Sequence, residues 1–236
     1  MFKRSTRALC GLGVVAVTGL LLTFAGPAGA HHPFAMAEGG DMNALQGLIS
    51  GIGHPLLGPD HLLFLLAIGL IGLRRPVAWV LPLLAFALGG AVLTQIFPLP
   101  SSLAPAAEAL VSLTLAVEGL IALNIIPAGI LLPVIGLHGY LLGGAIVGAE
   151  STPLFTYFLG LLIAQGALLL AVSLASKRLL DALGAEGKRV AAGIWIGIGG
   201  AFAWAALVAL RLSDSFHNDL QQRHHRCFRS PENGDN

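Results

Sequence analysis

The sequence predicts an all-α, polytopic membrane bundle of six transmembrane helices that follows a cleaved N-terminal signal peptide. Three observations carry that expectation. Hydrophobic residues make up 56% of the 236 and charged residues only 11%, with a mean hydropathy of +0.82. Glycine and proline, 31 and 13 residues, divide the apolar sequence into runs close to the roughly 20 residues that cross the hydrocarbon core as a helix. Basic residues fall in the gaps between alternate runs. A net charge of +1 gives no reason to expect a nucleic-acid partner. The partner implied throughout is the lipid bilayer.

The first element is an address. Lys3, Arg4 and Arg7 precede an apolar run to Phe24, and Ala28-Gly29-Ala30 supplies a small-x-small cleavage site; together these form a basic n-region, an h-region and a processing signal over residues 1–30. The run is long for an h-region, so an uncleaved anchor is the alternative. Cleavage after Ala30 removes the three basic residues and takes the net charge from +1 to −2. It also removes Cys10 and leaves Cys227 alone, so no intramolecular disulfide framework is expected.

A permease-type domain over residues 31–212 then carries six spans, bounded by Pro and Gly punctuation. They are placed at 53–73, 77–96, 105–125, 128–149, 153–175 and 190–212. Arg74, Arg75 and Pro76 stop the first, and Phe97-Pro98-Leu99-Pro100 stops the second. Residues 213–236 form a polar, His-containing tail that is expected to be disordered. Arg74, Arg75, Lys177, Arg178, Lys188 and Arg189 fall on one side, while the loops 97–104 and 150–152 on the other side contain no Lys or Arg. The positive-inside rule then puts the mature N-terminus outside, in the periplasm of an inner-membrane protein. Arg223, Arg226 and Arg229 pull the other way, but they lie well beyond the last span.

Against this apolar background the segment His54-Pro-Leu-Leu-Gly-Pro-Asp60-His61 stands out. Two imidazoles and a carboxylate within a span are expensive unless they have a use. Pro55, Gly58 and Pro59 oppose a regular helix. A break at Leu57-Gly58 with Pro59 opening a new helix would solve this and present Asp60 and His61 at a cavity. Glu118 in span three, His138 and Tyr140 in span four and Gln165 in span five could face the same cavity, as could Thr94, Gln95 and Asn124 at span ends. Imidazole with carboxylate suits divalent first-row metals such as nickel, cobalt or zinc. Such imidazoles need acceptors behind them, a role open to Glu118 or Gln165. A lone intramembrane Gln is also satisfied by a helix–helix hydrogen bond, and Glu118 could serve His138 or Asn124 structurally. His31-His32, and His217, His224, His225 and Cys227, have the composition of metal-capturing termini.

HPLLGPDH followed by LLFLLAIGL resembles the signature of the HupE/UreJ family, membrane proteins associated with nickel supply to hydrogenase and urease. AVEGLIALN around Glu118, GLHGYLLGGAIVGAE and TPLFTYFLG extend the resemblance over most of the chain. It implies a six-span secondary permease for nickel, with cobalt as the other cargo. Only His54, Asp60, His61 and His138 are carried over, as metal ligands. The residues themselves, apart from the resemblance, offer Glu118, Tyr140, Gln165 and Glu150 as candidate neighbours of the path and His31 and His32 as candidate capture residues. Many members have a second motif, FHGxAHGxE. Residues 137–145 read LHGYLLGGA, so His138 matches the first histidine, Leu142 replaces the second and Ala145 takes the glutamate position. Glu150 follows five residues later, in the form expected of cyanobacterial members. The missing ligands leave the choice between nickel and cobalt open.

The resulting expectation is entry of Ni2+ or Co2+ from outside, with no permanently bound cofactor and no enzymatic activity. His54 collects the ion, Asp60 and His61 replace part of its water shell, and His138 with Glu118 receives it deeper. The alternative is a non-transporting metal-binding accessory protein that docks to hydrogenase or urease maturation proteins. No GxxxxGK[ST] and no HExxH sequence is present, which disfavours ATP drive within the chain and an intramembrane metalloenzyme. Spans one and four each bring a histidine and run in opposite directions, which hints at a three-plus-three inverted repeat.

Overall fold

Asn43 opens the first helix by a reciprocal cap. Its side chain accepts from the Gln46 backbone at 2.9 Å, and the Gln46 side chain accepts from the Asn43 backbone at 2.9 Å, which satisfies two donors that a helix start leaves orphaned. A computed structural model describes residues 42–227. Within them lie α1 (Ala44–Leu57), α2 (Pro59–Ile71), α3 (Pro76–Ile96), α4 (Ala104–Ala122), α5 (Leu131–Gly144) and α6 (Ser151–Cys227). Short 3-10 turns, Ser101–Leu103 and Ala128–Ile130, precede α4 and α5, and the described residues contain no strand. The expected signal peptide, with His31 and His32, lies outside the described residues.

Helix ends follow the punctuation. Gly72 closes α2 at φ 80° and ψ 43°, the left-handed conformation that glycine adopts at a helix C-terminus without a Cβ penalty. Pro76 then opens α3, where its missing N–H costs nothing. α6 is one helix by hydrogen bonding but is interrupted at Gly184, with φ 62° and ψ −174°. Essentially only glycine occupies that region. Here the chain doubles back. Gly69 packs on Val172 of the first arm, Trp195 of the second arm donates to Leu63 O at 3.3 Å, and Gly72 lies beside both Leu180 and Lys188.

Among the described residues, Pro76–Ile96 and the stretch Ser151–Val208 are long and apolar enough to cross a membrane, and the pair α1 and α2, bent by 67°, makes a third candidate. The expected fourth span, 128–149, is shorter than its apolar run: it is a 3-10 turn plus a 14-residue helix. The glycine-rich end unwinds it, with Gly148 at φ 85°. The first span starts earlier than expected, at Ala44, because Asn43 supplies the cap. The last helix runs to Cys227, past the point where a disordered tail was expected to begin. Extending a helix adds one bond per residue fixed, whereas a new helix needs a costly nucleus.

Close approaches set the direction of each segment. α1 and α2 run parallel to the first arm of α6: a Cβ on Gly47 would lie 2.5 Å from Pro153 O, while farther along Ser176 Oγ donates to Gly69 O at 2.6 Å. α3 runs parallel to α5, with Gly139 against Ala87 and Gly143 against Ala91. α3 opposes the first arm, since Leu84 meets Gly166 while Ala91 clusters with Tyr157 and Leu161. α4 opposes the second arm, where Gly119 meets Ala192 and Gly199 meets Ser112 and Ala116. Successive segments therefore alternate in direction.

Two of these contacts are equivalent. A Cβ on Gly160 would fall on Leu48 O and 2.8 Å from Ile52 N; one on Gly90 would fall on Gly136 O and 2.9 Å from Tyr140 N. Gly51 faces Tyr157 O as Gly139 faces Ala87 O. The numbering corresponds at constant offsets, 48, 51 and 52 with 136, 139 and 140, and 87 and 90 with 157 and 160. Because the two pairs point in opposite directions, α1 with the first arm of α6 and α5 with α3 are packed as inverted copies of one another.

The core lies where the six segments meet, with Phe64, Ile68, Leu83, Leu115, Leu131, Ile135 and Leu169 buried. Leu81, Phe155 and Trp204 point outward and are each at least 70% exposed. Apolar residues on both the core side and the outer side are what a lipid-facing bundle requires.

Candidate functional site

The backbone between α1 and α2 builds the site. Gly58 is not helical, at φ −74° and ψ 110°, and Pro59 follows as the first residue of α2. The break therefore falls at Leu57-Gly58, where proline and glycine spacing places it. Pro55, by contrast, is held inside α1. On a straight helix His54 and His61 would be separated by about 10.5 Å along the axis, seven residues at about 1.5 Å each. The 67° bend brings their ring centres to 5.7 Å. It also leaves Asp60 in the first turn of α2, where the positive end of the helix dipole favours a carboxylate.

His138 comes from α5, the symmetry partner of the α1 segment. Its ring centre lies 5.3 Å from that of His61, nearly perpendicular to it, and 3.8 Å from that of Phe64. The three imidazoles thus form a row, His54 to His61 to His138, each at most 8% exposed. Gly58 makes room for it: a Cβ there would lie 2.8 Å from His61 Cδ2 and 3.2 Å from His54 O.

Two buried hydroxyls hold the ends of the row. Tyr157 Oη stands 3.0 Å from His54 Nδ1 and donates to Leu142 O at 2.6 Å. Thr114 Oγ1 stands 3.1 Å from His138 Nε2 and donates to Val111 O at 2.5 Å. His138 Nδ1 is buried without a hydrogen-bond partner, which leaves one nitrogen on that ring to meet something else. Glu118 sits one turn along α4 from Thr114, on the same face. It is 1% exposed and neither carboxyl oxygen has a hydrogen-bond partner. Burying an acid without a partner is costly.

Other polar residues do different work. Gln165 is buried on the first arm of α6 with no partner for Nε2. Thr94 Oγ1 donates to Tyr140 O, and Gln95 Nε2 donates to Gly143 O at 2.8 Å. These bonds tie α3 to α5. Tyr140 turns its hydroxyl to Phe97 O at 2.5 Å, and it lines a groove between α3 and α5. Asn124 holds a left-handed turn at φ 59°. Glu150 is exposed before α6, and its carbonyl accepts from Leu154 N at 3.1 Å.

Tyr157 and Thr114 escaped the sequence reading. Their histidines are 103 and 24 residues away in the chain, and a lone Tyr or Thr in a span carries no spacing signal. Among the described residues no group of three His, Cys, Asp or Glu side chains is arranged to hold one ion together. The geometry instead offers imidazole nitrogens in sequence, a donor set suited to divalent first-row metals.

A family model for the HupE / UreJ protein matches residues 19–203. No characterised protein and no solved structure matches the chain. The matched region takes in the histidine break, Glu118 and the His138 helix, and covers more than three quarters of the sequence: the chain belongs to the HupE/UreJ family.

Proposed function

We propose that the protein is a secondary permease of the inner membrane that admits a divalent transition metal, Ni2+ by preference and Co2+ as the second cargo, for metalloenzyme maturation. One observation carries the reading: three imidazoles from two separate segments stand in a row, 5.7 and 5.3 Å apart, at a 67° helix break inside the bundle. Conduction needs sites that attract an ion yet release it to the next. A row of buried nitrogens with Asp60 at its mouth meets that need. His54 collects the ion, Asp60 and His61 strip part of its water, and His138 passes it toward Glu118. Family membership supports a role in nickel or cobalt handling.

The proposed topology has six crossings and a periplasmic mature N-terminus, after removal of residues 1–30. Alternating helix directions support it. So does the meeting of Gly72, just before Arg74 and Arg75, with Lys188 near the Gly184 reversal, which gathers the basic residues at one end as the positive-inside rule requires.

The test is reconstitution in liposomes with radiolabelled nickel and cobalt run side by side. Wild type should admit at least one of the ions faster than the double variant Asp60→Asn, His61→Ala. Equal rates for both ions would sink the permease reading and favour a non-transporting accessory protein that holds metal for hydrogenase or urease maturation.

A further inference from the structure

We infer that Tyr157 and Thr114 fix the two outer histidines of the row in opposite tautomers, so that His54 offers Nε2 and His138 offers Nδ1 to the ion. This deepens the proposed function and rests on it for the identity of the ion. The ring hydrogen that faces each hydroxyl follows from hydrogen-bond arithmetic, and the tautomer follows with it for a neutral ring.

A phenol or an alcohol has one hydrogen to give and can accept through its lone pairs. Tyr157 Oη lies 2.6 Å from Leu142 O. A carbonyl only accepts, and two oxygens that close repel unless a hydrogen lies between them. The phenol hydrogen is therefore committed to Leu142. The contact of 3.0 Å between Tyr157 Oη and His54 Nδ1 must then take its hydrogen from the ring. In the neutral imidazole that metal binding requires, His54 is then the Nδ1–H tautomer with its basic lone pair on Nε2.

The same count applies at the other end with the nitrogens exchanged. Thr114 Oγ1 gives its hydrogen to Val111 O at 2.5 Å, so it accepts from His138 Nε2 at 3.1 Å. His138 is the Nε2–H tautomer, with its lone pair on Nδ1. That nitrogen is the one buried without a hydrogen-bond partner, as expected of a ligand atom awaiting an ion. Each hydroxyl is anchored to a helix carbonyl that cannot rotate away, and the pair brackets His61 from both sides. Tyr157 and Thr114 are positioning residues: they act through the imidazoles, as acceptors behind metal-binding histidines do.

The experiment is two-bond 1H–15N correlation spectroscopy on the full, metal-free protein with 15N-labelled histidine, the ring signals assigned by their loss in His54→Gln and His138→Gln. Expected are Nδ1–H for His54 and Nε2–H for His138. His54 is the sharper case, because an unconstrained histidine favours the Nε2–H form. Tyr157→Phe should release His54 toward Nε2–H, and Thr114→Val should disturb His138 while Thr114→Ser leaves it as in wild type. Nickel affinity should fall by about 10–100-fold in Tyr157→Phe and Thr114→Val and recover in Thr114→Ser. Nε2–H for His54 in the wild type, or an unchanged His54 pattern in Tyr157→Phe, overturns the inference. Tautomers as assigned in a protein that binds neither nickel nor cobalt would uphold it and remove the proposed function instead.

Discussion

Replacing Gly58 by alanine sets two effects of known size against each other at the centre of the site. The backbone there, at φ −74° and ψ 110°, suits any residue. Alanine would therefore stabilise by about 0.4–1 kcal/mol through the unfolded chain. Against that, its methyl would lie 2.8 Å from His61 Cδ2, where ordinary contact begins at 3.4 Å, so the ring must retreat by the difference of 0.6 Å. The second neighbour, His54 O at 3.2 Å, is backbone and yields less. Overpacking of this kind costs about 1–3 kcal/mol, so the clash wins and the variant should be less stable by about 1 kcal/mol. The functional effect is larger, because a site tolerates a displacement of only about 0.5 Å in its ligands. Nickel uptake in liposomes should fall by about tenfold or more, approaching the hundredfold loss that a displacement of about 1 Å can bring. Gly89→Ala is the control. A Cβ there meets nothing within 4 Å, so the helix should gain up to about 1 kcal/mol with uptake unchanged. Wild-type uptake together with an unchanged or raised melting temperature in Gly58→Ala would refute the claim that the histidine row needs this glycine.

Other substitutions probe the remaining parts. Glu118→Gln should leave thermal stability level or higher, since it removes an orphaned buried acid, while nickel uptake falls; uptake at the wild-type rate would take Glu118 out of the path. Gly160→Val and Gly90→Val should lower the melting temperature by similar amounts, because both glycines meet backbone at equivalent places; loss in only one would break the inverted-repeat equivalence. Gly184→Ala forces a Cβ into φ 62°, ψ −174° and should cost about 1–3 kcal/mol, read as a drop of about 2–4 °C per kcal/mol. Glu186→Gln breaks only the exposed pair with Arg189 at 3.7 Å and should change stability by less than about 1 kcal/mol.

Much of the fold is written locally. Pro76 and Gly72 bound their helices because φ and the missing donor act on the residue itself, and HPLLGPDH announces its break because Gly58-Pro59 cannot continue a helix. Gly184 is less legible. It lies in the gap between the expected spans 153–175 and 190–212, yet helix propagates up to it on both sides and one glycine makes the turn.

The same division holds at the site. His54, Asp60, His61 and His138 could be picked out from sequence because ionisable groups in an apolar span are costly and therefore conspicuous. Thr94, Gln95 and Tyr140 looked equally eligible, and only packing assigns them to the α3–α5 seam. By itself the sequence determined composition, family, several helix ends and the break, all of which depend on a residue and its near neighbours. Tertiary structure alone decided that His138 stands beside His61 and that Tyr157 and Thr114 stand at the ends of the row. Those are contacts between helices, and their geometry depends on glycine-to-backbone approaches that no single segment encodes.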